Sequence, residues 1–350
     1  MIFFDCDYNQ GAHPKILEHL ASTNWEQTPG YGCDPYCEQA RTLIRELCHA
    51  PEAGVHFLVG GTQVNATFLN AALRGHQGVV SAATGHIHCH ETGAPEAGGH
   101  KVLALSTGPE GKLSAAQVDA LCAAHYQGSP PPEHMVQPKA VYISHPTENG
   151  ALYTLAELEA LRAVCGRWGL YLYVDGARLG YGLTAPGTDV DLPALARLCD
   201  GFTIGGTKCG ALFGEALIVT NPEIDRDFRY YIKQGGGMLA KGRLLGLQFL
   251  ALLEDGLYFT ICRQANALAD RLAEACRTGG LPEYAPSVTN QRFFILTEEQ
   301  MARLSEQYVL SLWEPLPDGR AAYRLCTSWG TAPEAVEALA GDILALGGRP

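Results

Sequence analysis

The sequence has little positive charge for its length. Lysine and arginine together number 25 in 350 residues, against 37 aspartates and glutamates, so the formal net charge is -12 at pH 7. This acidic balance argues against a nucleic-acid partner and against an anionic membrane surface. Long apolar runs are also missing, since stretches such as 244–253 are too short and too interrupted to cross a bilayer. The first ten residues, MIFFDCDYNQ, have no basic segment, so we expect no signal peptide and a cytoplasmic protein.

Cysteine pairs of the Cys-x-x-Cys type are absent, although the chain has 12 cysteines. A disulfide framework is typical of small secreted domains, so we expect most of these cysteines to be small buried residues. Cys209 could instead be a reactive thiol, because it directly follows Lys208. Internal repeats are absent too, and a chain of this length can form a large core, which we expect to be divided into two subdomains.

Short apolar strands alternate with helical segments through the first two thirds of the chain. The expected strands lie at 55–59, 79–82, 101–105, 140–144, 170–174 and 201–204, and the expected helices at 36–50, 63–74, 114–124, 154–168 and 192–198. This alternation predicts a parallel sheet covered by helices on both faces. Ligands of such sheets bind at the loops beyond the carboxyl ends of the strands.

The pattern changes near residue 228, which suggests three parts. We expect an irregular N-terminal arm at 1–35 with a short helix from Pro14, and a large α/β domain at 36–235 that includes a Pro-rich loop at 128–138. A linking helix and a small C-terminal α+β domain fill 236–350. In the last part, a long helical region at about 223–279 precedes strand-like runs and a C-terminal helix at 333–346.

Lys208 lies on a glycine-rich turn between two apolar segments, in FTIGGTKCGALFGEALIV. A lysine held there loses hydration, so its pKa is expected to fall and its amine to become a usable nucleophile. The alternative is an ordinary turn lysine whose ammonium group reaches solvent.

Two other strand ends carry groups that would suit an anionic, aromatic ligand. Gly60, Gly61 and Thr62 link a strand to a helix, where free N–H groups and a hydroxyl can bind a phosphate. Their spacing fits neither a dinucleotide fingerprint nor a P-loop, and a plain turn is the alternative. Asp175 ends another strand and needs a partner there, either a protonated ring nitrogen or Arg178 in an ion pair.

Three histidines alternate at His86, His88 and His90. On a strand they would share one face and could bind a metal, whereas on a loop one of them could lie over an aromatic ring. Surface histidines are the third interpretation. No carboxylate or cysteine ligand is obviously paired with them, so we expect no metal.

A phosphate site, a strand-end aspartate and a strand-end lysine are together what pyridoxal 5'-phosphate requires. The segments that carry these groups resemble the threonine aldolase and β-eliminating lyase family of fold-type I pyridoxal-phosphate enzymes, and are most similar to the low-specificity L-threonine aldolases. The resemblance rests on DYNQGAHP, PGYGCDPY, GGTQVN, HIHCHETGAPE, VDGARLG, GGTKCGALFGEA, KQGGGMLAKGR and YRLCTSW.

The resemblance implies an aspartate aminotransferase-like fold, with a mostly parallel sheet of the seven-stranded type and a smaller C-terminal domain. It implies retro-aldol cleavage of L-threonine, L-allo-threonine or related β-hydroxy-α-amino acids to glycine and an aldehyde. It also implies a homodimer or homotetramer with shared active sites. A β-eliminating lyase or an aminotransferase is the alternative among enzymes with the same cofactor. Two alternatives of other kinds are a catalytically silent pyridoxal-phosphate protein with a binding or regulatory role and a metal-binding protein built on the three histidines.

Residue roles follow from the same resemblance. Lys208 would form the Schiff base, Asp175 would bond the ring nitrogen, and His86 would stack on the ring and handle the proton of the β-hydroxyl. The implied phosphate-binding residues are Gly60, Gly61 and Thr62. The residues implied for the substrate carboxylate are Arg178, Arg324 and Asn9, and Arg178 would also lie by the phenolic oxygen of the cofactor. Tyr31 would line the site of a neighbouring subunit.

This sequence departs from the family at two of the site positions. Asn9 stands where relatives carry a serine, and Glu148 stands where many relatives have a second histidine. The second departure leaves open which group takes the proton of the β-hydroxyl.

Overall fold

The computed structural model describes residues 1–128 and 132–346. Part of the expected Pro-rich loop and the last four residues of the expected C-terminal domain therefore lie outside the described residues. The strands are β1 (Ile2–Phe3), β2 (Gly54–Leu58), β3 (Gln77–Ala82), β4 (Val102–Leu105), β5 (Gln137–Ser144), β6 (Tyr171–Asp175), β7 (Gly201–Gly205), β8 (Glu215–Val219), β9 (Glu283–Ala285), β10 (Gln291–Leu296), β11 (Tyr308–Val309), β12 (Ser311–Pro315) and β13 (Ala321–Cys326). The helices are α1 (Pro14–Ser22), α2 (Pro35–Leu47), α3 (Gly61–Ala72), α4 (His86–Cys89), α5 (Ala94–Ala97), α6 (Ala115–Tyr126), α7 (Leu155–Trp168), α8 (Leu179–Leu183), α9 (Leu192–Leu198), α10 (Pro222–Asp225), α11 (Phe228–Gln234), α12 (Arg243–Leu253), α13 (Leu257–Thr278), α14 (Glu298–Leu304) and α15 (Pro333–Leu346).

Seven strands form the large sheet, in the order β2-β8-β7-β6-β5-β3-β4. The pairs among β7, β6, β5, β3 and β4 are parallel, whereas β8 is antiparallel to both β7 and β2. The expected mostly parallel sheet is therefore confirmed. The register places Ser144 opposite Asp175, so the carboxyl ends of β5 and β6 lie side by side.

Local sequence signals position the helices that cover this sheet. Thr154 and Glu157 form a reciprocal capping box at the start of α7, and Ser114 caps α6 as its sequence predicts. On the opposite face, Phe68 of α3 stacks on Tyr173 of β6 with ring centroids 4.1 Å apart. Apolar burial on both faces explains why these strands are almost continuously hydrophobic.

The C-terminal part contains a four-stranded antiparallel sheet in the order β12-β13-β10-β9. The first strand of the chain, β1, pairs in parallel with β11, so the N-terminal residues are hydrogen-bonded to this part. The domain boundaries at residues 35 and 235 remain predictions. Helix α13 packs closely against α15 and β10. The apolar side chains of its second half, such as Leu272 and Cys276, are buried in the core of the C-terminal part, whereas those of its first half, such as Ile261, lie in the main core.

The prediction of one long helical region at 223–279 is wrong. Four helices, α10 to α13, occupy it. The interruptions contain Gly236 with φ of 74° and Gly256 with φ of 67°, a left-handed conformation that ends a helix and favours glycine.

Within the described ranges, no single helix is both long and apolar enough to span a membrane. The consecutive helices α12 and α13, which meet at an angle of 68°, meet that criterion only when they are taken together.

Ten of the 12 cysteines are buried and all 12 are free thiols, as expected for small core residues. Cys209 has none of its surface exposed and lies in the main core. Its burial contradicts the interpretation of Cys209 as an accessible reactive thiol.

Candidate active site

The carboxyl ends of the parallel strands open into a cavity of about 220 Å³. Seven predicted site residues line it together, from four separate segments of the chain: Gly60, Gly61, Thr62, His86, Asp175, Arg178 and Lys208. The edge of the sheet where sequence reasoning expected a ligand is therefore the edge that forms a cavity.

Lys208 lies on the turn between β7 and β8, and its main-chain carbonyl accepts a hydrogen bond of 2.6 Å from the Tyr181 hydroxyl. Burial lowers the pKa of the Lys208 amine, and the Arg178 charge lowers it further, while the Asp7 carboxylate among others acts in the opposite direction. The net direction is downward, as the sequence predicts. A neutral amine is the form that attacks a carbonyl carbon.

Asp175 is the last residue of β6, and 6% of it is exposed. Its Oδ2 accepts hydrogen bonds from the Asn65 amide at 2.9 Å and the Tyr142 hydroxyl at 2.7 Å, and its Oδ1 accepts one from the Ala177 N–H at 2.9 Å. Burial raises the pKa of Asp175, but the nearby His86 ring and these hydrogen bonds outweigh burial and lower it overall. Asp175 is thus held as a carboxylate that can pair with a buried cation.

Arg178 does not pair with Asp175, so that alternative reading of the sequence is wrong. Its guanidinium donates two hydrogen bonds to the buried Asp7 carboxylate, from Nε at 2.7 Å and Nη2 at 2.9 Å. Burial alone would lower the pKa of Arg178, but Asp7 more than reverses that effect. Asp7 in turn accepts a 2.9 Å hydrogen bond from Asn290.

The predicted phosphate site has the required shape. Gly60 precedes α3, a helix of 12 residues, and no side chain caps the amides of its first turn. A Cβ atom added at Gly60 or Gly61 would meet no atom within 4 Å, so the backbone there is open to an approaching ligand. Free amides at a helix N-terminus together with the Thr62 hydroxyl suit a phosphate dianion.

His86 begins the helical turn α4, so the three histidines do not lie on a strand. The interpretation in which they share one face of a strand and bind a metal is therefore wrong. The His86 Nδ1 atom lies 2.7 Å from Glu91 Oε1. A ring nitrogen of His86 and oxygens of Glu91 and Asp175 lie within 4.8 Å of one another. The Asn65 amide donates to both carboxylates, at 2.7 and 2.9 Å, and so connects them through one hydrogen-bonded network.

A second, outer cavity of about 450 Å³ adjoins the first. Arg324 lines it, with Nη2 donating to the Asp5 carbonyl at 2.6 Å, Nη1 to Gln291 at 3.0 Å, and its guanidinium 5.3 Å from the Trp313 ring centre. Both cavities are lined by His86, Glu148, Arg178 and Lys208. A ligand held at Lys208 can therefore extend to Arg324.

The sequence profile of a family described as beta-eliminating lyase matches residues 11–299. This chain belongs to that family. The low specificity L-threonine aldolase of Pseudomonas aeruginosa is 29% identical over 343 residues, covering 97% of this chain and 96% of the relative. The low specificity L-threonine aldolase of a Pseudomonas species is 30% identical over 352 residues, covering 98% and 97%.

Solved structures agree with this assignment. The structure of Leishmania major threonine aldolase superposes with a TM-score of 0.95 at 43% identity, covering 99% of this chain and all of that one. An aspartate aminotransferase of Thermus thermophilus superposes with a TM-score of 0.72 at 15% identity, covering 99% and 91%, which supports the fold alone. The predicted aspartate aminotransferase-like fold of this β-eliminating lyase family member is confirmed.

Two predicted residues of this family member lie outside both cavities. Asn9 is exposed and donates to Asp5 at 2.8 Å, while its neighbour Tyr8 lines the outer cavity. Tyr31 is 49% exposed and lies under the Lys233 ammonium, which is 5.3 Å from its ring centre. Their roles in substrate binding stay predictions.

Sequence reasoning missed several groups that surround the site. Glu215 is buried at the start of β8, lines the inner cavity and accepts from the Gly206 N–H at 3.2 Å. Burial raises its pKa to about 8, an effect that Lys208 partly opposes. The sequence signal for Glu215 was a lone acidic residue at the start of the apolar run EALIV. The signal for the hydrogen-bonded network around Asp175 was the polar Asn65 on the buried side of α3.

Proposed function

We propose that this chain is a pyridoxal-phosphate-dependent aldolase that cleaves L-threonine, L-allo-threonine or a related β-hydroxy-α-amino acid to glycine and an aldehyde. The observation that carries the proposal is one cavity that combines a lysine of lowered pKa with a buried, ionised aspartate and an open glycine turn. The threonine aldolases named among the relatives support the choice of reaction.

The residues present fit the cofactor. The Lys208 amine would attach it covalently, the Asp175 carboxylate would bond its ring nitrogen, and the amides at Gly61 with the Thr62 hydroxyl would bind its phosphate. His86 would cover one face of the ring. When bound, pyridoxal phosphate supplies an aldehyde carbon that amines attack and a ring that accepts the electron pair of a broken Cα bond.

The chain's other groups would orient the substrate. Arg324 is aimed into the outer cavity and suits a carboxylate, because a guanidinium can donate two parallel hydrogen bonds. Arg178, held by Asp7, lines both cavities together with Lys208. With its carboxylate fixed at one end and its amine at the other, a β-hydroxy amino acid would present its hydroxyl to His86 and Glu148, which line the same space.

Absorption spectroscopy and product analysis test this function. The purified protein should take up pyridoxal phosphate, with a visible band that borohydride removes and that Lys208→Ala lacks. It should convert L-threonine to equal amounts of acetaldehyde and glycine. Formation of pyruvate or another oxo acid instead would assign it to a β-eliminating lyase or an aminotransferase, and a folded protein that takes up no cofactor would overturn the proposal.

We also propose that the chain assembles as a homodimer or homotetramer with shared active sites. Two large aromatic side chains are exposed, Trp25 at 91% and Tyr230 at 76%, which a partner subunit could cover. Tyr31 lies outside the inner and outer cavities of its own chain. Light scattering measures the assembly. Mixing Tyr31→Ala and Lys208→Ala subunits tests the sharing, because hybrid oligomers should regain activity that neither parent has, and no regain would refute shared sites.

A further inference from the structure

Glu148 lies on a turn just beyond β5 that is fixed by hydrogen bonds to the rest of the chain. The Thr147 hydroxyl donates to the Glu110 carbonyl at 2.7 Å, and the Asn149 amide donates to the Pro109 carbonyl at 2.7 Å. The Thr147 N–H donates to the Ala151 carbonyl at 2.9 Å and closes the turn. A side chain that is positioned before a ligand arrives is what proton transfer in an active site requires.

The Glu148 carboxyl has one oxygen engaged by protein groups. Its Oε1 accepts from the His86 main-chain N–H at 2.9 Å and from the Ser144 hydroxyl at 2.6 Å. Both bonds hold the group in place without using Oε2. That second oxygen is therefore the one that can accept a proton from a ligand.

Among the described residues, Glu148 provides the one carboxylate that lines both the inner and the outer cavity. Asp175 and Glu215 line only the inner cavity, and Asp175 Oδ2 is already occupied by Asn65 and Tyr142. A ligand that reaches from Lys208 to Arg324 would therefore occupy space that Glu148 lines.

His86 is held by a carboxylate partner of its own. Its Nδ1 edge is turned to Glu91, 2.7 Å away, and one of its ring nitrogens belongs to the compact group with the Glu91 and Asp175 oxygens. An imidazole held this way is well placed to cover the ring of an aromatic ligand beside Asp175. A ring that covers a ligand's face directs its nitrogens along the plane of that face.

We infer that Glu148 Oε2, and not His86, accepts the proton of the substrate's β-hydroxyl; this rests on the proposed aldolase function. The hydroxyl O–H bond breaks and an O–H bond forms at Glu148, the oxygen's electron pair makes the aldehyde C=O bond, and the Cα–Cβ pair remains with Cα. One proton is taken from the hydroxyl and one is gained at Cα in each turnover, so Glu148 returns to the carboxylate without a co-reactant.

The surroundings of Glu148 allow both protonation states. Burial raises the pKa of its carboxyl, the hydrogen bonds from Ser144 and the His86 N–H lower it in part, and the Asp175 charge raises it again. A base that works near neutral pH benefits from such a shift. The charged and titratable groups that face the two cavities around it are His86, His90, Asp175, Arg178, Lys208, Glu215, Arg324 and Tyr8.

Glu148→Gln tests the assignment in the cofactor-loaded protein, because the amide oxygen can keep both hydrogen bonds made by Oε1 while the basic oxygen is lost. We expect kcat for L-threonine and L-allo-threonine to fall ~10²–10⁴-fold. Exchange of the glycine α-proton in D₂O, which needs no β-hydroxyl, should continue. The matched control is Glu52→Gln, an exposed glutamate, which should behave as wild type.

A second measurement uses the protein without cofactor. Infrared spectra across a pH titration should contain protonated-carboxyl absorption with a raised midpoint from both Glu148 and Glu215. The difference between the wild-type and Glu148→Gln spectra isolates the part that belongs to Glu148, and its midpoint should lie above that of an ordinary glutamic acid. Glu148→Asp keeps a carboxylate at a changed distance and should cleave faster than Glu148→Gln. If Glu148→Gln does not fold, this aspartate variant must shift the acidic limb of the pH–rate profile.

The outcomes separate the two proposals. Wild-type protein that exchanges the glycine α-proton but cleaves neither β-hydroxy amino acid would refute the aldolase function. Wild-type protein that cleaves them while Glu148→Gln cleaves equally fast would refute only the role of Glu148. Loss of both cleavage and glycine exchange in Glu148→Gln would also refute the role of Glu148, because the substitution would then have impaired the cofactor site as a whole.

Discussion

Arg178 forms a bidentate ion pair with Asp7, at 2.7 and 2.9 Å, although Asp175 is only three residues away in the sequence. The strand geometry explains the choice. Asp175 ends β6 and points to Asn65 and Tyr142, whereas Arg178 follows the next turn and meets the N-terminal segment. Because Arg178 pairs with Asp7, the Asp175 carboxylate has no arginine partner and can bond a cationic ring nitrogen in addition to its hydrogen bonds from Asn65 and Tyr142. The pairing also makes the N-terminal segment part of the site.

Asp7→Asn should therefore destabilise the protein strongly. Asp7 is fully buried, and removing one partner of a buried ion pair typically costs about 3–5 kcal/mol because the other charge is left without compensation. Urea unfolding at one protein concentration measures the loss. Asp318→Asn, which removes a surface pair with Arg320, is the control and should leave the unfolding midpoint unchanged.

The same pair predicts a pH dependence. Burial raises the pKa of Asp7, but the Arg178 charge, helped by Lys208, lowers it below the ordinary value. A carboxyl whose folded pKa is depressed stabilises the fold above its unfolded pKa of about 3.9, and that stabilisation is lost as the pH falls through the folded pKa. The difference in unfolding free energy between wild type and Asp7→Asn should be constant near neutral pH and shrink below about pH 4. A difference that grows on acidification would contradict this assignment.

Arg178→Gln should raise the pKa of Lys208. The Arg178 charge is the largest contribution after burial that lowers this pKa, and its removal also leaves the Asp7 carboxylate to raise it. The rate at which the protein takes up pyridoxal phosphate covalently should therefore have its inflection at higher pH than in wild type. Stopped-flow absorbance across a pH series measures the inflection, with the exposed Arg303→Gln as control. An inflection that moves to lower pH would refute the electrostatic coupling.

The strand ends that hold Lys208, Asp175 and the Gly60–Thr62 turn were predictable, because each follows a short apolar run and parallel strands end at one edge of a sheet. The partners of these groups were not. Asp7, Asn65 and Tyr142 reach the site from distant segments, and their contacts depend on tertiary packing that periodicity does not encode.

Two interpretations of secondary structure were wrong. Alternating histidines were considered as a strand because the sequence has period two there, but Gly85 precedes a single helical turn instead. The long helical region was read as continuous from its Leu and Ala content, although Gly236 and Gly256 adopt left-handed conformations that interrupt it. At Gly236 and Gly256 backbone geometry decided the structure over composition, whereas Gly85 has an ordinary φ of -61° and is simply the extended residue before the helical turn.

Tyr142→Phe should weaken cofactor binding. The Tyr142 hydroxyl donates to Asp175 Oδ2 at 2.7 Å and lowers the pKa of that carboxyl, so its loss disfavours the ionised form that would hold the ring nitrogen. Hydrogen bonds to charged groups contribute about 1.5–3 kcal/mol, which corresponds to a rise of about 10- to 150-fold in the dissociation constant for pyridoxal phosphate. Fluorescence titration measures it, and Tyr126→Phe, whose hydroxyl binds the Pro138 carbonyl away from the site, is the control. Equal affinity in both variants would exclude this role for Tyr142.

Thiol labelling should distinguish two cysteines from the other ten. Cys33 and Cys89 are exposed and should react in the native protein, whereas the full set of 12 thiols should react only after unfolding. Burial raises the pKa of the Cys89 thiol and the Glu148 charge raises it further, so Cys89 should react slowly for an exposed thiol. Cys209→Ala should keep its activity, since Cys209 is buried in the core below the turn. Rapid labelling of Cys209 in the native protein, identified by mass spectrometry, would restore the reactive-thiol interpretation.

Arg324→Lys should raise KM for L-threonine more than it lowers kcat. The guanidinium is held by the Asp5 carbonyl and Gln291 and lies over Trp313, a geometry that a lysine ammonium cannot reproduce. If Arg324 binds the substrate carboxylate, loss of a charge-assisted bidentate contact of about 1.5–3 kcal/mol should increase KM about 10- to 150-fold. Steady-state kinetics with L-threonine measures both constants, and the exposed Arg303→Lys serves as the matched control. An unchanged KM in Arg324→Lys would place the substrate carboxylate elsewhere. Arg178, whose guanidinium lines both cavities, would then be the candidate to bind it.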